Sequence, residues 1–271
     1  MGGPARVAHF FGRCMTDRDD IQSVLSSAFA RPGLHHLAAL FQQVDNAETF
    51  AVFRDEGLPR LLREFDLQIN DPTQKPMDLL FVLKIFALYR TVEGFERITR
   101  AVRMPFHPEN PFWTIVFGAV DRGHPLRLRL ANELRDPLPK GEIGAAYLSL
   151  CNDISRGGEI FRHPFDTAAG TSLLKTWLSS RDPSHVAARN AADAMPFLKE
   201  PAIAQLLPLA MEHPDGHVQL SGAVAAALNG IEAGVEFLAA CCLDPTRARM
   251  ASAYLHELGR ADAIPPHTPG L

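Results

Sequence analysis

Between Asp182 and Gly259 the chain repeats itself, and this limits what it can fold into more than any other feature. Asp182-Pro183-Ser184-His185-Val186 leads into Ala191-Ala192-Asp193-Ala194-Met195. Asp215-Gly216-His217-Val218 leads into Ala223-Val224-Ala225-Ala226-Ala227-Leu228, and Asp244-Pro245-Thr246-Arg247-Ala248 into Ala251-Ser252-Ala253-Tyr254-Leu255. Val186, Val218 and Ala248 correspond, so the period is 32 and then 30 residues. Self-similarity at such a period marks stacked helical units, each burying its apolar face only against its neighbours.

These segments resemble HEAT-like repeats of the short, alanine-rich kind with an Asp-Pro turn. The resemblance covers residues 182–259; the first and third copies carry Asp182-Pro183 and Asp244-Pro245, and the middle copy reverses the pair to Pro214-Asp215. Arg189 and Arg249 are the residues that match the family's usual arginine after the turn. The resemblance implies an all-α chain: an α-solenoid of stacked antiparallel helix pairs with a less regular helical N-terminal part. It also implies a binding scaffold, since such stacks offer a long concave surface.

Upstream of the repeats, apolar residues recur at helical spacing and no stretch alternates as a strand does. Thr16-Asp17 reads as the cap of a helix from Arg18 to Ala30, stopped by Arg31-Pro32-Gly33. Leu34 to Gln43 resumes, Asp45-Asn46 caps Ala47 to Asp55, and Gly57 is expected to break the chain before Leu58 to Phe65. Asn70-Asp71-Pro72 signals a turn and a loose boundary. Pro76 suits the first turn of the next helix. In Leu79 to Leu88 nine of ten residues are apolar, which predicts a helix buried on all sides.

Phe95, Ile98 and Val102 mark another helix, ended by Met104-Pro105 through Pro108. Phe112, Ile115, Val116, Ala119 and Val120 form the next stripe, and Leu126 to Leu134 continues it. Ile143, Ala146, Tyr147, Leu150 and Ile154 make a clear amphipathic helix, broken at Gly157-Gly158. A helix from Pro164 to Leu178 carries Gly170 in its middle, and Pro196 and Pro208 should end or kink theirs. Phenylalanine gives way to alanine near residue 181. The expected organisation is an N-terminal helical region over 1–72, irregular helix pairs over 73–181, repeats over 182–264, and a loose tail over 265–271.

Composition is that of a folded protein, with 46% apolar and 21% charged residues and a net charge of −4. That charge is too small for a bulk preference for nucleic acid or anionic lipid. Met1 to Arg6 lacks the apolar core of a signal peptide, and Arg6 stands where N-myristoylation wants Ser or Thr. The apolar run at Leu79 is far short of a membrane span. Cys14, Cys151, Cys241 and Cys242 form no C-x-x-C site and read as small buried residues in a reducing compartment. A cytoplasmic protein with no membrane partner is expected.

Catalytic motifs are missing: there is no G-x-G-x-x-G, G-x-x-x-x-G-K-[ST] or G-x-S-x-G. His213 and His217 stand four apart, a spacing that lets two helical histidines share a metal, but Pro214 and Gly216 intervene and favour a solvated turn. His256-Glu257 is the one His-Glu pair, where di-iron helical-repeat hydroxylases carry several, and it points away from the apolar stripe. No metal or cofactor is expected.

Charge is more informative. Residues 84–140 hold ten lysine or arginine residues against six acidic ones. Arg97, Arg100 and Arg103 step along one helix, and Arg122, Arg127, Arg129 and Arg135 follow. If these units stack, the arginines would form one basic stripe for an acidic protein segment; the competing reading is a set of solvated faces paired with Glu93, Glu96 and Glu133. A DNA-binding or alkylpurine DNA glycosylase-like role is the alternative, suggested by Trp113 beside the stripe. It is disfavoured by the acidic repeats, and Trp113 and Trp177 read as core. The expectation is a non-catalytic scaffold for a protein or peptide, with Arg97, Arg100, Arg103, Arg122, Arg127 and Arg129 as candidate contacts.

Overall fold

The computed structural model describes residues 18–30, 34–42, 47–71, 75–104, 112–159, 161–180 and 184–266. The caps at Thr16-Asp17 and Asp45-Asn46, the stops at Arg31-Pro32-Gly33 and Pro105 to Pro108, the Asp182-Pro183 turn, Cys14 and the tail from His267 lie outside these residues. All regular structure among the described residues is helical. The chain divides into two compact units, Met1–His107 and Pro108–Leu271.

The first unit contains α1 (Arg18–Phe29), α2 (His35–Gln42), α3 (Ala47–Val52), α4 (Leu58–Gln68), α5 (Pro76–Tyr89) and α6 (Val92–Arg103). Helix α5 packs on α2, α4 and α6. Such a position demands apolar residues all round. Leu79, Leu80, Val82, Leu83, Ile85, Phe86 and Ala87 are buried, but Phe81 and Lys84 are only partly so and Leu88, expected inside, is 43% exposed. Phe86 meets Phe65 of α4 edge-on with ring centroids 5.3 Å apart.

Gly57 does not break the chain. A single π-helical turn, Phe53–Gly57, joins α3 to α4. Pro59 accounts for this turn, because its ring crowds the preceding carbonyls and it has no N–H to donate, and the wider turn makes room. Gly57 is needed for a different reason: a Cβ there would lie 2.9 Å from Phe41 Cζ of α2.

The second unit runs through α7 (Trp113–Gly118), α8 (Arg127–Glu133), α9 (Gly141–Arg156), α10 (Ala168–Leu178), α11 (Val186–Ala194), α12 (Glu200–Met211), α13 (Gly216–Leu228), α14 (Glu232–Cys241) and α15 (Ala248–Glu257). Helix α9 packs on α7 and α11, and α11 packs on α13; α10 packs on α12. Crosswise, α10 meets α11, α12 meets α13, and α14 lies between α13 and α15. Trp113 and Trp177 are both buried, whereas Phe112, placed on the apolar stripe by its spacing, is exposed before α7.

The expected helix from Pro164 starts later, at Ala168. Thr167 caps it by accepting the Gly170 N–H at 3.1 Å, so Gly170 lies in the first turn and not mid-helix. Pro196 follows the end of α11 in a 3-10 turn, Met195–Phe197. Pro208 sits in the last turn of α12, which continues to Met211.

Side chains tie residues 26 to 30 positions apart in sequence. Arg189 holds Asp215 through two hydrogen bonds at 3.2 and 2.7 Å. Lys175 reaches Gln205 at 3.1 Å and Arg260 reaches Glu232 at 2.9 Å. Arg247 reaches Gln219 at 3.3 Å, with its guanidinium also held by Asp244, three residues before it, at 2.7 Å. Asp215 also caps α13 at the Val218 N–H, and the Arg189 guanidinium holds its carboxyl down at about 2.

Helices α13 and α14 approach closely. A Cβ on Gly234 would stand 2.7 Å from the Ala227 backbone N and 2.8 Å from the Ala226 Cβ. Gly234→Ala is therefore expected to destabilise the second unit by about 1–3 kcal/mol, as overpacking does. Denaturant unfolding checks this; an unchanged midpoint would show that the two helices can part without cost.

Candidate functional site

The six arginines predicted to meet a partner have different surroundings. Helix α6 starts at Thr91, whose side chain accepts the Gly94 N–H, and turns Phe95, Ile98, Ala101 and Val102 inward. Its arginines therefore face the other way. Arg97 bonds both oxygens of Asp66 on α4, at 3.3 and 2.6 Å, and Arg100 bonds the same carboxylate. Burial pushes the Asp66 carboxyl up, but hydrogen bonds from Arg97 and Arg100 outweigh it and leave it lowered. These two arginines thus tether α6 to α4. Arg103 is exposed in the last turn of α6.

In the second unit the remaining three separate. Arg129 pairs with Glu133 one turn on, at 2.7 Å. Arg127 is only 2% exposed, with Nε 3.2 Å from Glu159 Oε1. Its burial had a sequence signal, since Arg127, Leu130, Ala131 and Leu134 share one helical stripe and all four are buried. Arg122 is exposed and has no ion-pair partner among the described residues.

Arg122 lines a groove of ≈ 400 Å³ over α7, α9 and α11. Phe117 and Leu150 are in its floor, Ser149, Asp153 and Asn190 add polar groups, and Val186, 46% exposed, forms one wall. Small residues make the depression: a Cβ on Gly118 would meet nothing within 4 Å.

A buried polar chain fixes the helices beneath this groove. Asn190 Nδ2 donates to the Ala145 carbonyl at 3.2 Å, and the Asn190 carbonyl accepts from Asn152 Nδ2 at 2.9 Å. That leaves Asn152 Oδ1 as acceptor, so His163 Nε2, 3.1 Å away, must carry the proton. His163 is 3% exposed, stacked on Phe197 and flanked by Phe161 and Phe165.

Arg156 links the groove to a second cluster. It reaches Asp153 at 3.5 Å and Asp193 at 2.9 Å. Asp193 Oδ1 also accepts from Ser221 at 2.7 Å and contacts His217 Nε2 at 3.2 Å. Serine and histidine thus converge on one carboxylate oxygen rather than on each other. A base that activates a nucleophile must accept its proton, and here His217 Nε2 faces the carboxylate. The Asp193 hydrogen bond raises the His217 pKa.

His213 is occupied elsewhere: its Nδ1 accepts the Asp215 N–H at 3.0 Å, and its ring meets His185 edge-on. Among the described residues no three His, Cys, Asp or Glu side chains converge as metal ligands. His256 and Glu257 are exposed. No helix among them is long and apolar enough to cross a membrane.

The His163 chain makes the groove acid-sensitive. Burial pushes the His163 pKa down to about 4, with Asp166 pulling the other way. The unfolded chain takes up this proton near pH ~6.5, so the contribution is complete above that pH and is lost as pH falls toward about 4. The difference is worth about 3 kcal/mol at roughly 1.4 kcal/mol per pH unit. Denaturant unfolding from neutral to acid pH should show this loss, and His163→Phe should remove it. Equal losses in both proteins would assign the acid sensitivity to other groups.

No family model, curated protein or solved structure matches the chain.

Proposed function

We propose that the protein is a non-catalytic helical-repeat scaffold, an α-solenoid of HEAT-like type, that binds a segment of a protein partner in the groove over α7, α9 and α11. The observation that carries this reading is the groove itself. It joins exposed Val186, an apolar floor and unpaired Arg122, on helices held in place by a buried hydrogen-bond chain. Apolar concavity with a few convergent polar groups is what peptide and ligand sites share. The row of α9, α11 and α13, and the long-range side-chain ties, support the solenoid.

Of the six arginines, Arg122 is the one assigned to the partner. Arg97, Arg100 and Arg129 are held by carboxylates, Arg127 is inside, and Arg103 is engaged by another residue. A free cation at the rim of a groove favours an acidic residue in the bound segment.

Gly118→Leu tests the proposal directly, because Gly118 lines the groove and a Cβ there would enter open space. A photo-crosslinking residue at Val186 reports occupancy. Gly118→Leu and Arg122→Glu are each expected to lower the crosslink yield about tenfold, with helicity and melting unchanged. Undiminished crosslinking in both variants would reject the groove as the binding site.

A further inference from the structure

A second groove, ≈ 590 Å³, lies between the α8–α9 connection and α10. It shares no lining residue with the first. We infer that it is a docking site for an acidic peptide segment with an apolar side chain next to its carboxylates. Its walls are mostly apolar: Pro137 and Leu138 on one side, Ala169 and Leu173 of α10 on the other. Arg135, Lys140 and Ser172 add cationic and hydroxyl donors.

Charge complementarity selects the occupant. Arg135 and Lys140 are exposed, and neither has a carboxylate at ion-pair distance among the described residues. Nearby Glu133 is already held by Arg129. The Ser172 hydroxyl makes no hydrogen bond among the described residues; its backbone carbonyl accepts from the Thr176 hydroxyl. Asp136 is the one acid in the lining. Two unpaired cations and a free hydroxyl beside an apolar cleft match carboxylates flanking a leucine-like side chain. Low-dielectric walls also make each charge contact stronger than it would be on open surface.

This inference uses the scaffold reading only in taking a protein segment as the occupant; the site stands on its own residues. The test is fluorescence anisotropy with a labelled short peptide carrying leucine between glutamates, and the same peptide with glutamine for glutamate. The glutamate peptide is expected to bind and to weaken as salt rises. It should lose about tenfold or more in affinity against Arg135→Glu/Lys140→Glu, and the glutamine peptide should bind about tenfold more weakly. Both substituted residues are exposed, so the variant should fold; circular dichroism and melting verify this.

Equal binding of the two peptides, unchanged affinity in the double variant, or no binding at about 1 mM peptide overturns the proposal. So does preference for a single-stranded oligonucleotide over the glutamate peptide. If Gly118→Leu abolishes binding and the double variant does not, the peptide occupies the first groove; this proposal then fails while the scaffold reading survives.

Discussion

Two helices lie only as close as the side chains between them allow. In the second unit those side chains are short. Ala188, Ala191, Ala192, Ala223, Ala225 and Ala226 are buried on α11 and α13, and Gly234 lets the α14 backbone reach α13. The close spacing brings a single side chain within reach of the neighbouring helix. Asn152 reaches the Asn190 carbonyl, Arg189 reaches Asp215, and Ser221 and His217 reach Asp193. Bulkier residues at these contacts would move the helices apart and break the polar ties. Alanine also buries little apolar area per residue, so those ties do much to set the register.

Carboxylates take up several of the cations within residues 84–140. Asp66 takes up two of the arginines, Glu133 a third, and Arg127 sits in the interior beside Glu159. In the second unit, Arg122, Arg135 and Lys140 stay unpaired, each at a groove with apolar walls. A count of charges along a chain cannot separate these cases, because ion pairs form between residues far apart in sequence.

The helices were legible where periodicity was strong. The run from Leu79 to Leu88 predicted a core helix, and the stripe from Ile143 to Ile154 predicted α9, because both patterns reflect burial directly. Gly57 was misread, since glycine as a chain breaker and glycine as a contact point look alike until Phe41 is placed against it. The candidate site was barely legible. Arg122 was singled out, but as part of a stripe; the groove it lines draws on three helices. The Asp193 cluster joins Arg156, His217 and Ser221 across gaps that no local spacing rule spans. His163 had a hint in Phe161 and Phe165 on either side, an aromatic context that favours burial.

The π-helical turn before Pro59 has a consequence for the evolution of the first unit. It holds one residue more than an α-helical turn, and each residue of an α-helix rotates the following face by about 100°. Loss of one residue between Phe53 and Gly57 would straighten the helix, and all of α4 would then turn with it. Leu61, Leu62 and Phe65 would leave the core together, and the Asp66 carboxylate would swing away from Arg97 and Arg100. Substitutions in this turn touch only its immediate neighbours, whereas a single-codon deletion would dislodge an entire helix face. The length of the turn should therefore be held as firmly as buried Phe53 and Gly57, while exposed Arg54 and Asp55 are free to drift.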